Sequence, residues 1–529
     1  MKIALIAPPY PLEQAPSPPL GICYVASACK EAGHEVKIFD YIVSQYTKEK
    51  LKAALDVFQP DILGATSVTM NFPMAAEIMK TAKNHRPEMT TMMGGPHVSF
   101  DYENVLNQYP EVDVIVTGEG ELTLKELLPV IKDRACWHDI QGIAFMDDQK
   151  IVKTPQREFI QNLDDLPMPT RDLLPMAKYM ALGFPVSIIT SRGCPNKCIF
   201  CLGRRMVGMK VRYRSADKIL DEIEYLLSFG LSRINIADDF FTANKNRVTA
   251  FCEEILKRGI KFDWSAFARV DSVSKEMLEM MKKAGCDAVS FGIESGNLNI
   301  LKTVQKGITP DQARNAIQSC KEAGMIAHAS FILGLPGETP DSMEETLQFA
   351  KELNIPFGYH LLAPFPGTAI REDIQNYDLE ILSDDWNLYD ADHAIVRTSS
   401  LSAEETTRFV DEFNQTIQEE FQEAEKRYQS GKCSDEDYFK VAGTRRMEII
   451  FKILSEDIIE TLGAYQTEGT ENNQSLIFAT MISNHIGKDL FAVEQVVKSL
   501  HDIKYLQYKH DGTTIKWYWT DNQRTGALN

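Results

Sequence analysis

The chain has 529 residues, 44% of them hydrophobic and 25% charged, with a formal net charge of -19. That length exceeds what one hydrophobic core organises, so two or three folded domains are expected, while the acidic excess argues against a general polyanion binder and leaves only a local basic site open. Ten cysteines are too sparse for a disulfide scaffold.

The opening MKIALIAPPYP carries one Lys and a short apolar run broken by prolines, too short for a signal h-region or a membrane span. It reads as a buried first strand of a cytoplasmic protein. Over residues 1–135, β-rich runs (KIALIAPP, HEVKIFD, DILGATSV, EMTTMMGGPH, VDVIVTGEGE) alternate with helical stretches, the pattern of a doubly wound, Rossmann-like parallel sheet whose carboxyl-end loops carry any ligand. Residues 136–185 read as a connector with a short hairpin, GIAFMDDQKIVKT, and an acidic, Pro-containing stretch.

A second βα series is expected over 186–385, with strands VSIITS, RINIAD, FDWSAFA, AVSFGI, AHASFILGL and FGYHLLAP. Thr309-Pro310-Asp311-Gln312 fits an N-cap, a Pro at N1 and a capping-box Gln, and Thr339-Pro340 repeats the first two elements. Six such units imply a partial (β/α)6 barrel with function at the strands' C-terminal ends. A charged helical linker follows over 386–430. Residues 431–529 suggest a small α+β, winged-helix-like domain with a hairpin at Asp511-Gly512, in which Trp517, Tyr518 and Trp519 read as packing more readily than as a binding face.

Chemistry concentrates in SRGCPNKCIFCLGRR, which sets Cys194, Cys198 and Cys201 at spacing CxxxCxxC. The other seven cysteines stand singly in apolar or helical contexts and read as small buried hydrophobes. Zinc would want a fourth protein ligand at structural-site spacing, and none follows. Three thiolates on a loop after a strand suit an iron–sulfur cluster with one iron left open for substrate.

The triplet, placed after the first strand of a βα series, resembles the radical S-adenosylmethionine (SAM) enzymes, and the preceding domain resembles the cobalamin-binding domain fused to many of them. The resemblance spans roughly residues 1–370. It implies a 4Fe-4S cluster on the three cysteines whose open iron chelates SAM, reductive cleavage of SAM to a 5′-deoxyadenosyl radical, and a flavodoxin or ferredoxin as electron donor. It also implies SAM contacts. Asp239 in IADDFF would meet the methionine amino group, or else cap a helix. Arg269 in AFARVD would face the carboxylate. Glu294 and Ser295 in SFGIESG would meet the ribose. Lys306 would support the carboxylate or stand solvated, Gly334 in SFILGLPGET would bring backbone to the adenine, and Leu362 and Ala363 would flank it.

No histidine has an Asp two residues before it, so the DxHxxG motif of cobalamin ligated from below is absent, as in many cobalamin-dependent members. The matching cradle positions are Pro19, Leu20 and Gly21; Ser67, Thr69 and Asn71; Gly94, Gly95 and His97; and Gly118, Glu119 and Gly120. A vestigial domain with ordinary strand-end turns is the competing reading, and His97 is open to being a ligand, a tail contact or a capped loop residue. The expected function is cobalamin-dependent radical methylation of an unactivated carbon or phosphorus centre in a small molecule. The alternatives are a cobalamin-dependent or cobalamin-independent radical cyclase or rearranging enzyme without methyl transfer, and a corrin-sensing regulatory protein. Arg204, Arg205, Lys210, Arg212 and Arg214 would meet an anionic substrate or cofactor, or form a solvated loop.

Overall fold

The computed structural model describes residues 1–466 and 473–520; part of the C-terminal stretch read above, 521–529, lies outside them. Strands β1 (Lys2–Ala7), β2 (Glu35–Asp40), β3 (Ile62–Thr66), β4 (Thr90–Gly94) and β5 (Val114–Val116) form a parallel sheet in the order 2-1-3-4-5. The run KIALIA is continuously apolar because helices cover both faces of the sheet: Ile3 and Leu5 enter one core, Ala4 and Ile6 the other.

The hairpin expected in the connector belongs to this sheet. β6 (Ile143–Asp147) pairs antiparallel with β5, and β7 (Lys150–Lys153) with β6, so the sheet runs past residue 135. Asp148 and Gln149 turn it with φ of 42° and 64°, the left-handed pair that a two-residue type I′ turn demands.

The second sheet is parallel throughout: β8 (Val186–Ile188), then, after a two-stranded clasp of β9 (Ser191–Arg192) and β10 (Arg212–Tyr213), β11 (Arg233–Ile236), β12 (Asp263–Ala268), β13 (Cys286–Glu294), β14 (Ile326–Leu333) and β15 (Phe357–Leu361). These six strands are the six expected, paired in chain order as an open barrel wall. Trp264, Val289, Phe291, Ala329 and Phe331 pack outward in the main core, which leaves Ser265, Phe267, Ser290, His328 and Ser330 on the opposite face by strand alternation. The capping box at the helix Pro310–Glu322 forms as expected, with Thr309 N–H donating to Gln312 Oε1 (2.9 Å) and Gln312 N–H to Thr309 Oγ1 (3.3 Å).

The stretch before residue 403 is not the expected helical linker: apart from one 3-10 turn at Trp386–Leu388, it carries β17 (Val396–Arg397), which pairs antiparallel with β16 (Glu380–Ile381). The helix begins at Ala403, capped by Ser402, and lays Phe409 and Phe413 on Tyr359 at 5.8 and 5.1 Å between ring centroids. It thereby covers β15, an otherwise unprotected sheet edge. A second long helix, Asp435–Ser455, leads into the last domain, where two helices pack on the antiparallel sheet β18 (Ala464–Gln466), β20 (Thr514–Trp519) and β19 (Leu506–Asp511). Trp517 and Trp519 are buried and Tyr518 is exposed, so the aromatic strand is packing. Its core continues into Ala177 and Leu182 of the helix Met176–Leu182 and Val43 of the first domain.

Candidate functional site

The cysteine loop is a hairpin closed at its base. Arg192 and Arg212 are partners across β9 and β10, Cys194 N–H donates to Gly208 O (3.1 Å), and Cys201 N–H donates to Cys198 O (3.3 Å). Gly193 makes this possible: it has φ of 107°, and a Cβ there would lie 2.3 Å from Lys210 O. Ile199 N–H donates to Val304 O (3.1 Å) and pins the loop to the barrel.

All three cysteines are free thiols; Asn196 Nδ2 donates to Cys194 Sγ at 3.3 Å, and Arg269 Nη1 lies 4.0 Å from Cys198 Sγ. Burial raises the Cys198 thiol, while Lys306 and Arg269 oppose that and favour the thiolate. Among the described residues, no three His, Cys, Asp or Glu side chains form a single-ion site. A cubane takes each of three thiolates on a different iron, and three thiols on one loop supply that donor set.

Around this loop the strand ends of the barrel converge. Arg269 follows β12; its Nε and Nη2 donate to the two carboxylate oxygens of Asp271, both at 2.9 Å, and Nη2 also donates to Lys306 O (2.8 Å). Only the edge toward Cys198 is left for a ligand. Glu294 closes β13 at φ 73°, where the register with β14 skips a residue. The bulge turns its carboxylate onto Lys306 Nζ at 2.6 Å, both groups buried. Gly292 leaves room beneath them: a Cβ there would sit 2.7 Å from Glu294 Oε1 and displace the pair.

Asp239 is exposed at the end of β11 beside Cys201: a Cβ on Gly203 would meet Asp239 Oδ1 at 2.9 Å and Cys201 Sγ at 3.6 Å. Its neighbour Asp238 is the buried structural member, accepting from Ser191 Oγ (2.6 Å) and Thr190 N–H (2.6 Å). Gly334, at φ 86°, and the buried Leu362 and Ala363 lie at the ends of β14 and β15. Ser295 departs from expectation. It is fully buried, its Oγ shared with Thr346 Oγ1 (3.1 Å) and accepting from Asn297 N–H (3.1 Å), so it fastens a helix start rather than facing the loop.

A half-enclosed, mainly apolar cavity of ≈ 280 Å³ joins the two domains. Leu20, Gly21, Gly94, Gly95, Gly118 and Gly120 line it from the first domain, Ile189, Met206 and Asp239 from the barrel side. Gly21 and Gly118 have nothing within 4 Å of an added Cβ, so their missing side chains leave open room against the wall.

Of the remaining cradle positions, Pro19, Ser67, Thr69, Asn71 and His97 do not line it. His97 stacks on Phe72 (4.1 Å) and meets Trp386 edge-on (5.0 Å); burial, helped by Arg371, lowers its pKa to about 3. Thr69 Oγ1 lies 3.4 Å from His97 Nδ1, and Asn71 Oδ1 accepts from Val68 N–H (3.0 Å). Ser67 is buried, and Pro19 precedes a helix start away from the lining. His97 therefore serves the packing of the strap around Trp386. Glu119 lines the cavity with its backbone neighbours, yet its carboxylate is engaged by Arg192 (3.1 Å) and Arg212 (2.9 Å), and Arg214 pairs with buried Glu222. Arg212 and Arg214 of the basic segment are thus structural, and Arg212 clamps the hairpin to the first domain.

Sequence reasoning missed Asp271, Glu121 and Glu338. Glu338 Oε2 accepts from Gly334 N–H (2.6 Å) and Leu335 N–H (3.3 Å) and shapes the GLPGE turn; a Glu four residues after a turn glycine was the available signal.

A doubly wound domain facing a six-stranded open barrel, with three thiols on the first barrel loop, defines a two-domain cofactor enzyme of the α/β class. Residues 188–350 match the radical SAM superfamily and residues 14–128 the B12 binding domain. An uncharacterized methyltransferase of Pyrococcus horikoshii is 36% identical over 78% of this chain and 91% of its own length. The anaerobic magnesium-protoporphyrin IX monomethyl ester cyclase of Rubrivivax gelatinosus is 30% identical over 68% of this chain and 66% of its own.

Among solved structures, the cobalamin-dependent SAM radical enzyme OxsB, with aqua-cobalamin and SAM bound, superposes with a TM-score of 0.68 at 19% identity, covering 94% of this chain and 78% of that one. The methyltransferase TsrM from Kitasatospora setae, with cobalamin and a [4Fe-4S] cluster, does so at 0.63 and 19%, covering 73% and 81%. The chain belongs to the radical SAM superfamily, in the branch with an N-terminal B12-binding domain. It is an enzyme whose cofactors are a 4Fe-4S cluster, SAM and cobalamin, and the corrin-sensing regulatory alternative is set aside. No described helix is long and apolar enough to cross a membrane.

Proposed function

We propose that the protein is a cobalamin-dependent radical SAM methyltransferase acting on an unactivated carbon or phosphorus centre of a small molecule. The observation that carries this reading is the single cavity walled on one side by first-domain strand ends and on the other by Asp239 and the cysteine hairpin: a methyl carrier and a radical source there share one chamber. When bound, the cluster and SAM supply hydrogen abstraction after one-electron reduction, and cobalamin supplies the methyl carrier.

The chain's own residues do the rest. Cys194, Cys198 and Cys201 hold the cluster. Asp239 meets the methionine amino group. Arg269, immobilised by Asp271 and Lys306 O, presents one fixed edge to the carboxylate, which orients the sulfonium without reorganisation. Glu294, neutralised by Lys306, accepts from the ribose hydroxyls. The turn at Gly334, with Leu362 and Ala363, receives the adenine. Gly21, Gly94, Gly95, Gly118 and Gly120 allow close backbone approach to a corrin, and apolar walls keep water from a reactive intermediate. A flavodoxin or ferredoxin in the cytoplasm is the proposed electron donor.

Cyclisation without methyl transfer is the second reading, favoured by the cyclase relative. Anaerobic titration of cluster-reconstituted protein with hydroxocobalamin, followed by desalting and absorbance, tests the proposal; stoichiometric retention and S-adenosylhomocysteine formation under reducing conditions are expected. Retention without S-adenosylhomocysteine selects the cyclase reading. No retention overturns the methyltransferase reading and leaves only a cobalamin-independent radical reaction. Replacing the three cysteines together with Ala is expected to abolish iron incorporation and SAM cleavage, and cleavage surviving in that variant would refute the cluster assignment.

A further inference from the structure

The two domains are fastened to each other at the cysteine hairpin itself. Arg192, two residues before Cys194, and Arg212 are direct partners on β9 and β10, where like charges repel. Both are neutralised from the first domain. Glu119 accepts from Arg192 Nη1 (3.1 Å) and from Arg212 Nη1 (3.0 Å) and Nη2 (2.9 Å), and Glu121 accepts from Arg192 Nη2 (2.6 Å). Arg212 also donates to Val207 O (2.6 Å) inside the hairpin, and Glu119 Oε2 accepts from Ile160 N–H (2.8 Å).

None of the four side chains is more than 10% exposed. A buried pair loses strongly when one partner goes, so the hairpin cannot shift without Glu119. Glu119 itself stands between Gly118 and Gly120, the two glycines on the cavity wall. The residue that pins the hairpin is thus carried on the backbone that a first-domain ligand touches.

We propose that Glu119 is a positioning residue that couples the two cofactor sites: filling the first-domain cavity orders the turn 118–120, and Glu119 passes that order through Arg192 and Arg212 to the hairpin, so that SAM binds more tightly at the cluster. This rests on the cofactor placement proposed above. The coupling is reciprocal, since two ligands linked through one element change each other's affinity by the same factor. The gain is an ordering cost already met by the first ligand.

The test uses full-length, cluster-reconstituted protein in the oxidised state, where SAM binds without turnover. Equilibrium dialysis measures SAM affinity with and without hydroxocobalamin, and hydrogen exchange reads the peptides spanning 186–214. In the parent protein, hydroxocobalamin is expected to tighten SAM binding by at least about fivefold, the lower end of ordinary allosteric coupling, and to slow exchange in the hairpin. In Glu119→Gln the factor falls to about one, each cofactor's affinity alone being measured in the same variant.

Glu222→Gln is the control: it disturbs an equally buried Arg pair outside the cavity and keeps the factor. Should Glu119→Gln not fold, Arg212→Lys, which keeps the charge but loses the two-pronged contact, is expected to reduce the factor. A parent protein that retains hydroxocobalamin but shows no effect on SAM overturns the coupling and leaves the functional proposal standing. Unchanged coupling in Glu119→Gln or Arg212→Lys, or equal loss in the Glu222→Gln control, overturns the role of Glu119. Failure to retain hydroxocobalamin counts against the functional proposal instead.

Discussion

Glu338 shows how much one carboxylate decides at the residue scale. It is fully buried beneath the Gly334 turn, and burial raises it to about 7 against the pull of the Gly334 and Leu335 N–H groups. A folded pKa above the unfolded value means that the native state holds the proton more tightly. The associated stability is fully present below pH 4.5 and is lost as pH rises through about 7. Glu338→Gln keeps the shape and removes the titration. Its unfolding free energy from urea titration is expected to gain on the parent between pH 5 and pH 8, by on the order of 3 kcal/mol at the upper end; a constant difference across that range would place the proton elsewhere. The GLPGET stretch was legible as a turn from its glycines; the carboxylate that shapes it left only the spacing of a Glu four residues after a turn glycine, because the bond runs from side chain to backbone and has no period.

The β9–β10 hairpin carries the three cysteines proposed to hold the cluster. Its spacing CxxxCxxC is read directly from the sequence, whereas the two-residue strands that close it are too short to announce themselves by alternation. Gly193 sits where a Cβ would collide with Lys210 O, and its φ of 107° is one that L side chains rarely adopt. Gly193→Ala is expected to leave far-ultraviolet circular dichroism unchanged and to lower reconstituted iron severalfold. Full iron loading in that variant would show that the hairpin need not close. The same element explains why the basic segment divides: Arg212 and Arg214 face inward on a strand and its extension and find carboxylates, while Arg205 donates to Gly367 O (2.8 Å) and Lys210 is exposed.

At the scale of the whole molecule, the last domain is docked rather than tethered. Lys178 Nζ, nearly buried, donates to Ser44 Oγ (3.0 Å) and contacts Glu460 (2.6 Å) and Asp457 (3.6 Å), and Lys50 reaches the same Asp457. Three parts of the chain thus share one charged contact above the apolar core formed by Ala177, Val43 and Trp517. Lys178→Met is expected to cost roughly 3 kcal/mol, as breaking a buried pair does, and to speed hydrogen exchange in Met176–Leu182 and Ile458–Leu462 together. Faster exchange in one without the other would mean that the two segments do not open as a unit.

The sequence by itself determined the order of the domains, the six barrel strands and the cysteine loop. Each rests on local signals: alternation along a strand, turn glycines, capping residues and fixed spacing. The resemblance to the radical SAM enzymes, carried by that loop, picked out Asp239, Arg269 and Glu294 at or just past strand ends, and Lys306, which lies after the helix Leu298–Thr303. Only the tertiary structure decided that the 143–153 hairpin joins the first sheet. It alone set His97 and Thr69 under Trp386 instead of on the cavity, turned Ser295 toward Thr346, and committed Glu119 to Arg192 and Arg212. In each case the partner comes from a different element far along the chain, and which polar group meets which is settled by packing that no local pattern encodes.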